Sequence, residues 1–381
     1  MKITFDAIPL TAEKMTGIGW CEAGQTAALA ALYPENTYEY SFFTDGKGTA
    51  EERIRQLSAE GIGMNTSRFP KKLYRGMSAV LPVPYSHFFG ESDITHFFNY
   101  ILPPGVEGRT VVTVHDMVYK AFPETVRGRT RLMLNMGLKS SMERADRIVT
   151  DSEFSKSEII KYFPEHEGKI RVVPCGVNSE MFSPCTDSGR IEEVRSSLGI
   201  SGDYFLYLGT IEPRKNLERL IMAYGHFIEE SGKGAPELVL AGGKGWLYDG
   251  IFARVRSMGL ENKVIFTKYV PSEDMAPLMS GALAFVFPSL YEGFGMPPLE
   301  AMSCGTPVLC SGAASLPEVT GDCAVICDPY SVRSITAGLR KLYRDSGLRR
   351  ELSTKGLERA KDFTWERSAE MLMEIYEELM K

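Results

Sequence analysis

The 381-residue sequence lacks several motifs that would identify common classes of enzyme. It contains no G-x-x-x-x-G-K-[ST] phosphate loop, no G-x-G-x-x-G after a strand and no G-x-S-x-G nucleophile elbow. Its five histidines show no zinc-ligand spacing, and no Asp-x-Asp pair occurs that would hold a divalent ion. The sequence therefore favours neither a phosphate-loop ATPase nor a catalytic site built around a metal ion or another cofactor.

Positive charge and long apolar runs are also scarce. The chain has 43 Lys and Arg against 49 Asp and Glu, so it lacks the basic footprint of a nucleic-acid partner. No apolar run approaches the ~18 residues that span a membrane, and MKITFDAI is typical of a first strand rather than of a secretory leader. The seven irregularly spaced cysteines predict reduced thiols packed as small hydrophobes. We expect a cytoplasmic protein.

What is present is an alternation of strands and helices. At ~150 residues per domain, the length favours two domains. Apolar runs typical of buried parallel strands alternate with helical patterns, such as those of residues 18–32 and 125–145. This alternation predicts an α/β fold with doubly wound parallel sheets. The candidate strands are KITFDAI, YEYSFFTD, ITHFFNY, TVVTVHD, RIVTDS and IRVVPCG in the first half, and YFLYLGT, ELVLAGG, KVIFTKYV, ALAFVFPS, PVLCS and CAVICDP in the second.

The alternation restarts after a polar stretch, residues 178–197, where we place the linker. We predict one domain over residues 1–185, a second over 190–362 and a terminal segment over 363–381, whose apolar residues form a helical stripe. Two such sheets would face each other across a cleft. Ligands of open α/β sheets bind at the carboxyl ends of the strands.

The most informative stretch is FPSLYEGFGMPPLEAMSCGTPVLCS, residues 287–311, which combines a strand, a glycine turn and a helix N-terminus. Free backbone N–H groups at a helix N-terminus bind anions, and glycines let phosphate oxygens approach the backbone. Glu292 and Glu300 would repel phosphate, but they can accept hydrogen bonds from vicinal hydroxyls. The pattern predicts a ligand with both groups, such as a sugar diphosphate with a ribose. The alternative is a structural turn with an acidic helix start.

A second element is LYLGTIEPRKNLERLI, in which a strand ends at Gly209 and a helix begins near Asn216. Arg214 and Lys215 lie in the turn between them, at the rim of the sheet. Two cations there can neutralise a departing diphosphate. The alternative is a solvated basic pair.

Two further elements lie in the first half. His115 ends a strand, and a neutral imidazole could donate a hydrogen bond to a sugar hydroxyl; the alternative is a core histidine. Asp116 beside it is either the group that orients His115 or a helix cap. Gly17 and Gly19 lie in a turn after the first strand, which would either touch the ligand or serve as a plain strand-to-helix turn.

With these elements in order, the chain resembles the family 4 glycosyltransferases of GT-B fold, which are retaining enzymes that use nucleotide sugars. The resemblance covers nearly the whole chain and is carried by TGIG, VHD, TDSEFSKSEI, VVPCGVN, YLGTIEPRKNL, LVLAGGKGW, VIFTKYV and SLYEGFGMPPLEAMSCGTPV. It implies two Rossmann-like domains, an N-terminal one for the acceptor and a C-terminal one for the donor. It also implies that the terminal helix, led by FTW, crosses back to the first domain. Trp20 departs from the pattern, because a smaller or basic residue is expected after GIG.

The resemblance also implies roles for individual residues. Arg214 and Lys215 match the pair that holds the donor diphosphate, Glu300 the glutamate on the ribose hydroxyls, and Glu292 the one near the transferred sugar. His115 matches the N-domain histidine near the sugar. The loop that contacts sugar and phosphate through its amides corresponds to Gly293, Phe294, Gly295 and Met296. The backbone turn that contacts the base corresponds to Tyr269 and Val270.

The implied reaction transfers a hexose to an acceptor hydroxyl with retention and without a metal. HDMVYKAFPE is similar to mannosyltransferases of bacterial surface polysaccharide assembly, which use GDP-mannose. UDP-glucose and UDP-N-acetylglucosamine stay open as donors, and so does a non-catalytic sugar-nucleotide binder. The acceptor is expected to be a saccharide or a lipid-linked saccharide. SRFPKKLYRG mixes four basic residues with aromatic ones, which suits peripheral contact with an anionic membrane; the alternative is a solvated basic loop.

Overall fold

The structure is a computed structural model that describes residues 1–13, 15–44, 46, 48–57, 60–78, 81, 83–246 and 248–381, without the side chains of Lys72, Arg75, Ser78 and Lys233. The chain forms two units. The first comprises residues 1–121, 128–176 and 364–381, and the second comprises residues 122–127 and 177–363. Each unit holds a parallel sheet with helices packed on it, which confirms the predicted α/β class.

In the first unit, the described residues form a seven-stranded parallel sheet of order β3-β2-β1-β4-β5-β6-β7. Its central strands are apolar runs because both faces are covered; the adjacent Val111 and Val112 of β5, which point to opposite faces, are both completely buried. The strands are β1 Lys2–Asp6, β2 Thr37–Phe43, β3 Ile62–Ser67, β4 Ile94–Phe97, β5 Arg109–Thr113, β6 Arg147–Thr150 and β7 Ile170–Val172. The α-helices are α1 Gly17–Leu32, α2 Thr49–Leu57, α3 Lys71–Ser78, α4 Ser86–Phe89, α5 Val118–Ala121, α6 Gly128–Arg144 and α7 Glu153–Tyr162.

In the second unit, the described part of the chain forms a six-stranded parallel sheet of order β10-β9-β8-β11-β12-β13. All four residues of β11 are buried, as are all five of β9. The strands are β8 Tyr204–Leu208, β9 Glu237–Ala241, β10 Val264–Lys268, β11 Ala284–Phe287, β12 Val308–Ser311 and β13 Ala324–Cys327. The α-helices are α8 Ser188–Ser197, α9 Leu217–Ser231, α10 Asp249–Ser257, α11 Ser272–Ser280, α12 Met296–Ser303, α13 Leu316–Thr320, α14 Val332–Arg344 and α15 Ser346–Ala360.

The last helix, α16 Trp365–Met380, returns to the first unit, as predicted. Thr364 caps it by accepting a hydrogen bond from the backbone N–H of Arg367. Its apolar stripe packs on α1, where Gln25 donates a hydrogen bond to Ser368 at 2.8 Å. Tyr376 is completely buried and hydrogen bonds to His96 at 2.7 Å. No helix in the described part of the chain combines the length and apolar character that a membrane span requires.

The units differ from the predicted domains in where they divide. The boundary falls between Gly176 and Val177, before the predicted residues 185–190. Residues 177–187 belong with the second unit because Ser303 donates a hydrogen bond to the carbonyl of Phe182, and Cys185 N–H donates one to Ser280. The predicted linker also contains α8, which begins where the Asp187 carboxylate accepts hydrogen bonds from two backbone N–H groups.

A short segment from the first half of the chain, residues 122–127, packs with the second unit. The indole N–H of Trp246 donates to the Thr125 carbonyl at 2.7 Å, and the Arg127 guanidinium lies 5.0 Å from the Trp246 ring. The rings of Phe122 and Tyr291 are 5.6 Å apart. The prediction placed this segment in the first domain.

Candidate functional site

The carboxyl ends of β8 and β11 bring two predicted site segments of the second unit together. These strands are parallel neighbours, so the loops that follow them lie at the same edge of the sheet. After β8, a short 3-10 turn at Pro213–Lys215 presents Arg214 and Lys215, as predicted. The N–H of Leu290 donates to the Arg214 carbonyl at 2.9 Å and joins the two loops. Residues far apart in sequence thus form one cluster.

The centre of this cluster is the Glu292 carboxylate. Lys215 Nζ donates to Oε1 at 2.7 Å, and Arg214 donates to Oε2 at 2.7 Å. Ser289 Oγ also donates to Oε1, at 2.5 Å. The other side of the Arg214 guanidinium contacts Glu212 Oε1, at 2.9 Å. We call Glu212, Arg214, Lys215 and Glu292 the charged cluster.

Burial and charge set the protonation of the charged cluster. Burial alone would raise the pKa of Glu292, but Arg214 and Lys215 outweigh it and lower the pKa to about 2. Burial and the neighbouring Arg214 lower the pKa of Lys215, and Glu292 only partly offsets them. The Lys215 ammonium also lies 4.8 Å from the centre of the Phe287 ring. The carboxylate is therefore charged throughout the neutral range.

Three of the four predicted catalytic residues meet here, but in a different arrangement from the one expected. The sequence suggested cations on the phosphates and Glu292 on hydroxyls. In the structure Glu292 accepts hydrogen bonds from Arg214 and Lys215 themselves, so it holds the cations in place. The ammonium of Lys215 uses one of its three N–H groups on Glu292.

The loop after Glu292 is fastened by Ser315. Its hydroxyl donates to the carbonyls of Glu292, at 2.9 Å, and of Phe294. Gly295 has φ +135°, and a Cβ there would lie 2.8 Å from a methyl carbon of Leu316, so the position requires glycine. The Phe294 ring is buried and packs on Phe363, with ring centres 5.7 Å apart. The Phe294 side chain therefore has a packing role in this loop.

Helix α12 follows this loop and carries Glu300. The helix begins at Met296, with prolines in its first turn, as predicted. The Glu300 carboxylate is half-buried, and within the described residues it has no hydrogen-bond partner. Burial raises the pKa of Glu300 to about 7. The binding of vicinal hydroxyls by this carboxylate stays a prediction, and its open acceptor positions are what such binding requires.

A close contact of two glycines shapes the neighbouring edge. Gly209 follows β8, and its N–H donates to the carbonyl of Ala241 at 2.9 Å. Gly242 follows β9 with φ +138°, and a Cβ on it would lie 2.0 Å from the Gly209 carbonyl oxygen. The next strand end carries Tyr269, which is 59% exposed, and the buried Val270. Gly242 was not predicted, although LAGG directly after a strand was the available signal.

In the first unit, His115 is buried and both ring nitrogens are used. Nδ1 donates to Asp151 Oδ2 at 2.7 Å, and Nε2 donates to the Phe98 carbonyl at 2.8 Å. Burial alone would lower the pKa of His115, but Asp151 outweighs it and raises the pKa to about 10. The histidine is therefore a charged donor with two partners in place, whereas we expected a neutral imidazole with an N–H for the sugar. Asp116 caps Val118.

Two other predicted elements lie in this unit, the glycine turn of residues 17–19 and the basic segment around α3. Thr16 is the N-cap of α1, so Gly17 and Gly19 lie in its first turn. A Cβ on Gly19 would lie 2.8 Å from the sulfur of Met15. In the basic segment, Tyr74 is buried against Phe43, with ring centres 4.8 Å apart, so this ring is not available to lipid. The predicted side chains of Lys72 and Arg75 lie outside the described part of the structure.

One group of side chains in the described part of the chain has the composition and spacing of a metal site. It consists of Cys21, Asp151 and Cys175, all buried in the first unit, with ligand atoms within 4.8 Å of one another. The charged cluster of the second unit has no such group.

Comparisons with known proteins agree with these features. Residues 191–359 match the family model "Glycosyl transferases group 1", and residues 26–181 match "Glycosyltransferase Family 4". Over 284 residues, 74% of each chain, the protein is 37% identical to O-antigen chain mannosyltransferase B of Escherichia coli. It is 30% identical to the serotype-specific mannosyltransferase WbdA of Escherichia coli over 78% of this chain, which is only 36% of that relative's length.

The fold is also that of solved glycosyltransferase structures. HepE of Anabaena in complex with UDP-glucose superposes with a TM-score of 0.75 at 17% identity, covering 99% of this chain and 100% of the other. The resemblance predicted from the sequence is therefore confirmed. The chain belongs to the group 1, family 4 glycosyltransferases and has their GT-B fold.

Proposed function

We propose that this glycosyltransferase moves mannose from GDP-mannose to a hydroxyl group of a bacterial surface polysaccharide or its lipid-linked precursor. The names of the relatives support the sugar and the class of acceptor, since the sequence similarity extends over most of this chain. The observation that carries the proposal is the charged cluster, in which the half-buried Arg214 and the buried Lys215 both donate to Glu292, the residue directly before the loop of residues 293–295. This arrangement suits a diphosphate leaving group.

In the proposed reaction, the bond between the sugar C1 and the phosphate oxygen breaks, and a bond from C1 to the acceptor oxygen forms on the same face. The acceptor proton passes to the departing phosphate oxygen. Negative charge grows on the diphosphate, and Arg214 and Lys215 stabilise it. The amides of residues 293–296 at the start of α12 add donors there.

Two carboxylates would have different tasks. Glu300 has open acceptor positions and would hold the ribose hydroxyls. Glu292 is saturated on Oε1 by Lys215 and Ser289, so it would position the cations and offer Oε2 to the sugar. Because the sequence has no Asp-x-Asp pair and the cations are built into the protein, we propose that transfer needs no divalent ion.

The test is a donor panel of GDP-mannose, UDP-glucose and UDP-N-acetylglucosamine, with release of nucleoside diphosphate followed with and without a mannan acceptor. The proposal expects acceptor-dependent release from GDP-mannose, unchanged by EDTA, and an α-linked product by NMR. Release from a uridine donor alone would overturn the donor, and binding of GDP-mannose without transfer would indicate a non-catalytic binder. An inverted linkage would overturn the mechanism.

For the membrane, a narrower proposal follows. Leu73 is exposed between basic residues of α3, while Tyr74 is buried, so any contact with anionic lipid would depend mainly on charge. Flotation with anionic liposomes should be lost when Arg68, Lys71, Lys72 and Arg75 are replaced by Gln. Equal flotation of both proteins would favour a solvated loop.

A further inference from the structure

The first unit contains a buried group of metal-binding side chains that the transfer reaction does not use. Cys21 lies on α1, Asp151 follows β6, and Cys175 follows β7. Because β6 and β7 are parallel neighbours, Asp151 and Cys175 lie at the same edge of the sheet. The two sulfur atoms are 3.4 Å apart, and an oxygen of Asp151 lies within 4.8 Å of both.

The spacing fits a tetrahedral soft metal. With Zn–S bonds of about 2.3 Å, two thiolates on one tetrahedral zinc ion lie about 3.8 Å apart, close to the 3.4 Å between the sulfur atoms of Cys21 and Cys175. All three side chains are at least nine-tenths buried. Buried thiols without a metal or disulfide are common, so this spacing alone would not be sufficient.

The Asp151 carboxylate provides an independent observation. Its Oδ2 accepts the hydrogen bond from His115, whereas its Oδ1 is buried and has no hydrogen-bond partner within the described residues. A buried unpaired carboxylate oxygen is costly, and a bound cation would remove that cost. Metal-binding side chains are usually oriented by a hydrogen bond from a neighbouring residue, and His115 would do this for Asp151.

Charge points the same way. Two thiolates and one carboxylate would carry three negative charges, and a divalent ion would balance two of them. Next to Cys21, Glu22 is completely buried, and neither of its oxygens has a partner in the described part of the chain. This region of the first unit is therefore rich in buried acids.

We infer that Cys21, Asp151 and Cys175 bind one divalent soft metal ion, Zn²⁺ by their chemistry, at a site that supports the first unit rather than the transfer reaction. The three side chains supply two sulfurs and one oxygen, and they leave the fourth tetrahedral position to water. Binding displaces the two thiol protons.

The test measures metal directly in the full chain, so it is independent of transferase activity. Protein from which metal has been removed under reducing conditions is reconstituted with Zn²⁺ and desalted, and its zinc content is measured by elemental mass spectrometry. A second sample is reconstituted with Co²⁺, which serves as a spectroscopic probe. We expect one metal per chain and a sulfur-to-cobalt charge-transfer band. Cys21→Ser and Cys175→Ser should each abolish retention of the metal.

Two further variants sharpen the result. Cys310→Ser alters a buried thiol of the second unit, which contacts Thr320, and should retain one metal. His115→Gln should weaken zinc binding by about 10–100-fold. Because serine variants could fail to fold, the cobalt spectrum of the unaltered chain decides independently. Absence of bound metal there, a Cys21–Cys175 disulfide in its place, or full retention by both cysteine variants would overturn the inference.

Discussion

Acid should destabilise the second unit through Glu292, and Glu292→Gln should remove that sensitivity. The folded pKa of Glu292 is about 2, against 4.5 for the free side chain. A group with a lowered folded pKa stabilises the fold fully above its unfolded pKa, and this contribution is lost as the pH falls towards its folded pKa. The loss should therefore occur between pH 4.5 and about pH 2.

The size of the effect follows from the same two values. The gap between 4.5 and about 2 corresponds to about 3 kcal/mol, at about 1.4 kcal/mol per pH unit. Glutamine has nearly the same shape but no charge, so it resembles the protonated glutamic acid. At neutral pH the variant leaves Lys215 buried without its carboxylate, a loss of about 3–5 kcal/mol by the usual cost of breaking a buried pair. At the acid end the two proteins should be nearly equal in stability.

The measurement needs a signal from the second unit alone. Trp246 lies there, and the other two tryptophans, Trp20 and Trp365, lie in the first unit. Both chains would carry Trp20→Phe and Trp365→Phe, so that the cost of these changes cancels. Urea unfolding followed by Trp246 fluorescence then gives the difference in unfolding free energy at each pH. A difference that stays constant with pH, or that grows in acid, would refute the pairing of Glu292 with Arg214 and Lys215.

Three further predictions follow from the site. Lys215→Ala should lower kcat by about 10²–10³-fold and weaken donor binding less, because the charge of Lys215 acts on the leaving group. Steady-state kinetics and calorimetry measure the two effects, with Lys355→Ala, at an exposed lysine, as the control. A change in donor binding alone would contradict this role. Because the pKa of Glu300 is about 7, GDP binding should weaken as the pH falls through 7, and Glu300→Gln should flatten that dependence in calorimetric titrations. A flat profile for the unaltered chain would contradict the role of Glu300. Gly242→Ala should lower the stability by about 2 kcal/mol or more and disrupt GDP binding, because the added Cβ would meet the Gly209 carbonyl. In the adjacent Gly243→Ala the added Cβ has no atom within 4 Å, so stability and GDP binding should both be unchanged. Equal losses in the two variants would refute the steric argument.

The sequence predicted most strands because buried parallel strands have continuous apolar runs. The strand that it missed, β3 with sequence IGMNTS, is the edge strand next to β2 in the described part of the sheet and is partly exposed. An edge strand needs no apolar run, so its residues carry little pattern. Helix α8 was placed in a linker because its residues are mostly polar, with Val194 its one buried residue. In both cases tertiary packing, which a local pattern does not record, decided the structure.

The candidate site was predictable in its residues but not in its pairings. The turn of Arg214 and Lys215 and the loop at residues 293–295 follow strands, so their placement at the sheet edge could be inferred. Contacts such as Ser289 to Glu292, or Ser315 to Phe294, depend on the exact paths of loops. The packing of residues 122–127 with the second unit has no local signal at all.

One pairing could have been inferred from strand register. Thr113 of β5 lies opposite Val149 of β6, so continuing both strands by two residues places His115 opposite Asp151. The neighbouring Asp116 has a carboxylate too, but alternate residues of a strand point to opposite faces, so it could not share that position. Register therefore identifies the partner of a strand-end histidine better than sequence proximity does.

The charged cluster also constrains how the donor is held. The formal charges of its two cations and two carboxylates sum to zero. With a pKa of about 2, the Glu292 carboxylate does not take up a proton at neutral pH. A diphosphate that enters brings negative charge that the cluster does not fully compensate. In the proposed reaction, the backbone N–H groups of residues 293–296 at the start of α12 would then contribute much of its binding. Lys215 and Arg214 would act most strongly when charge builds up on the leaving phosphate. This division would explain why a buried lysine is held by a carboxylate: Glu292 fixes Lys215 Nζ in place before the donor arrives, which is the preorganisation that lowers a transition-state barrier.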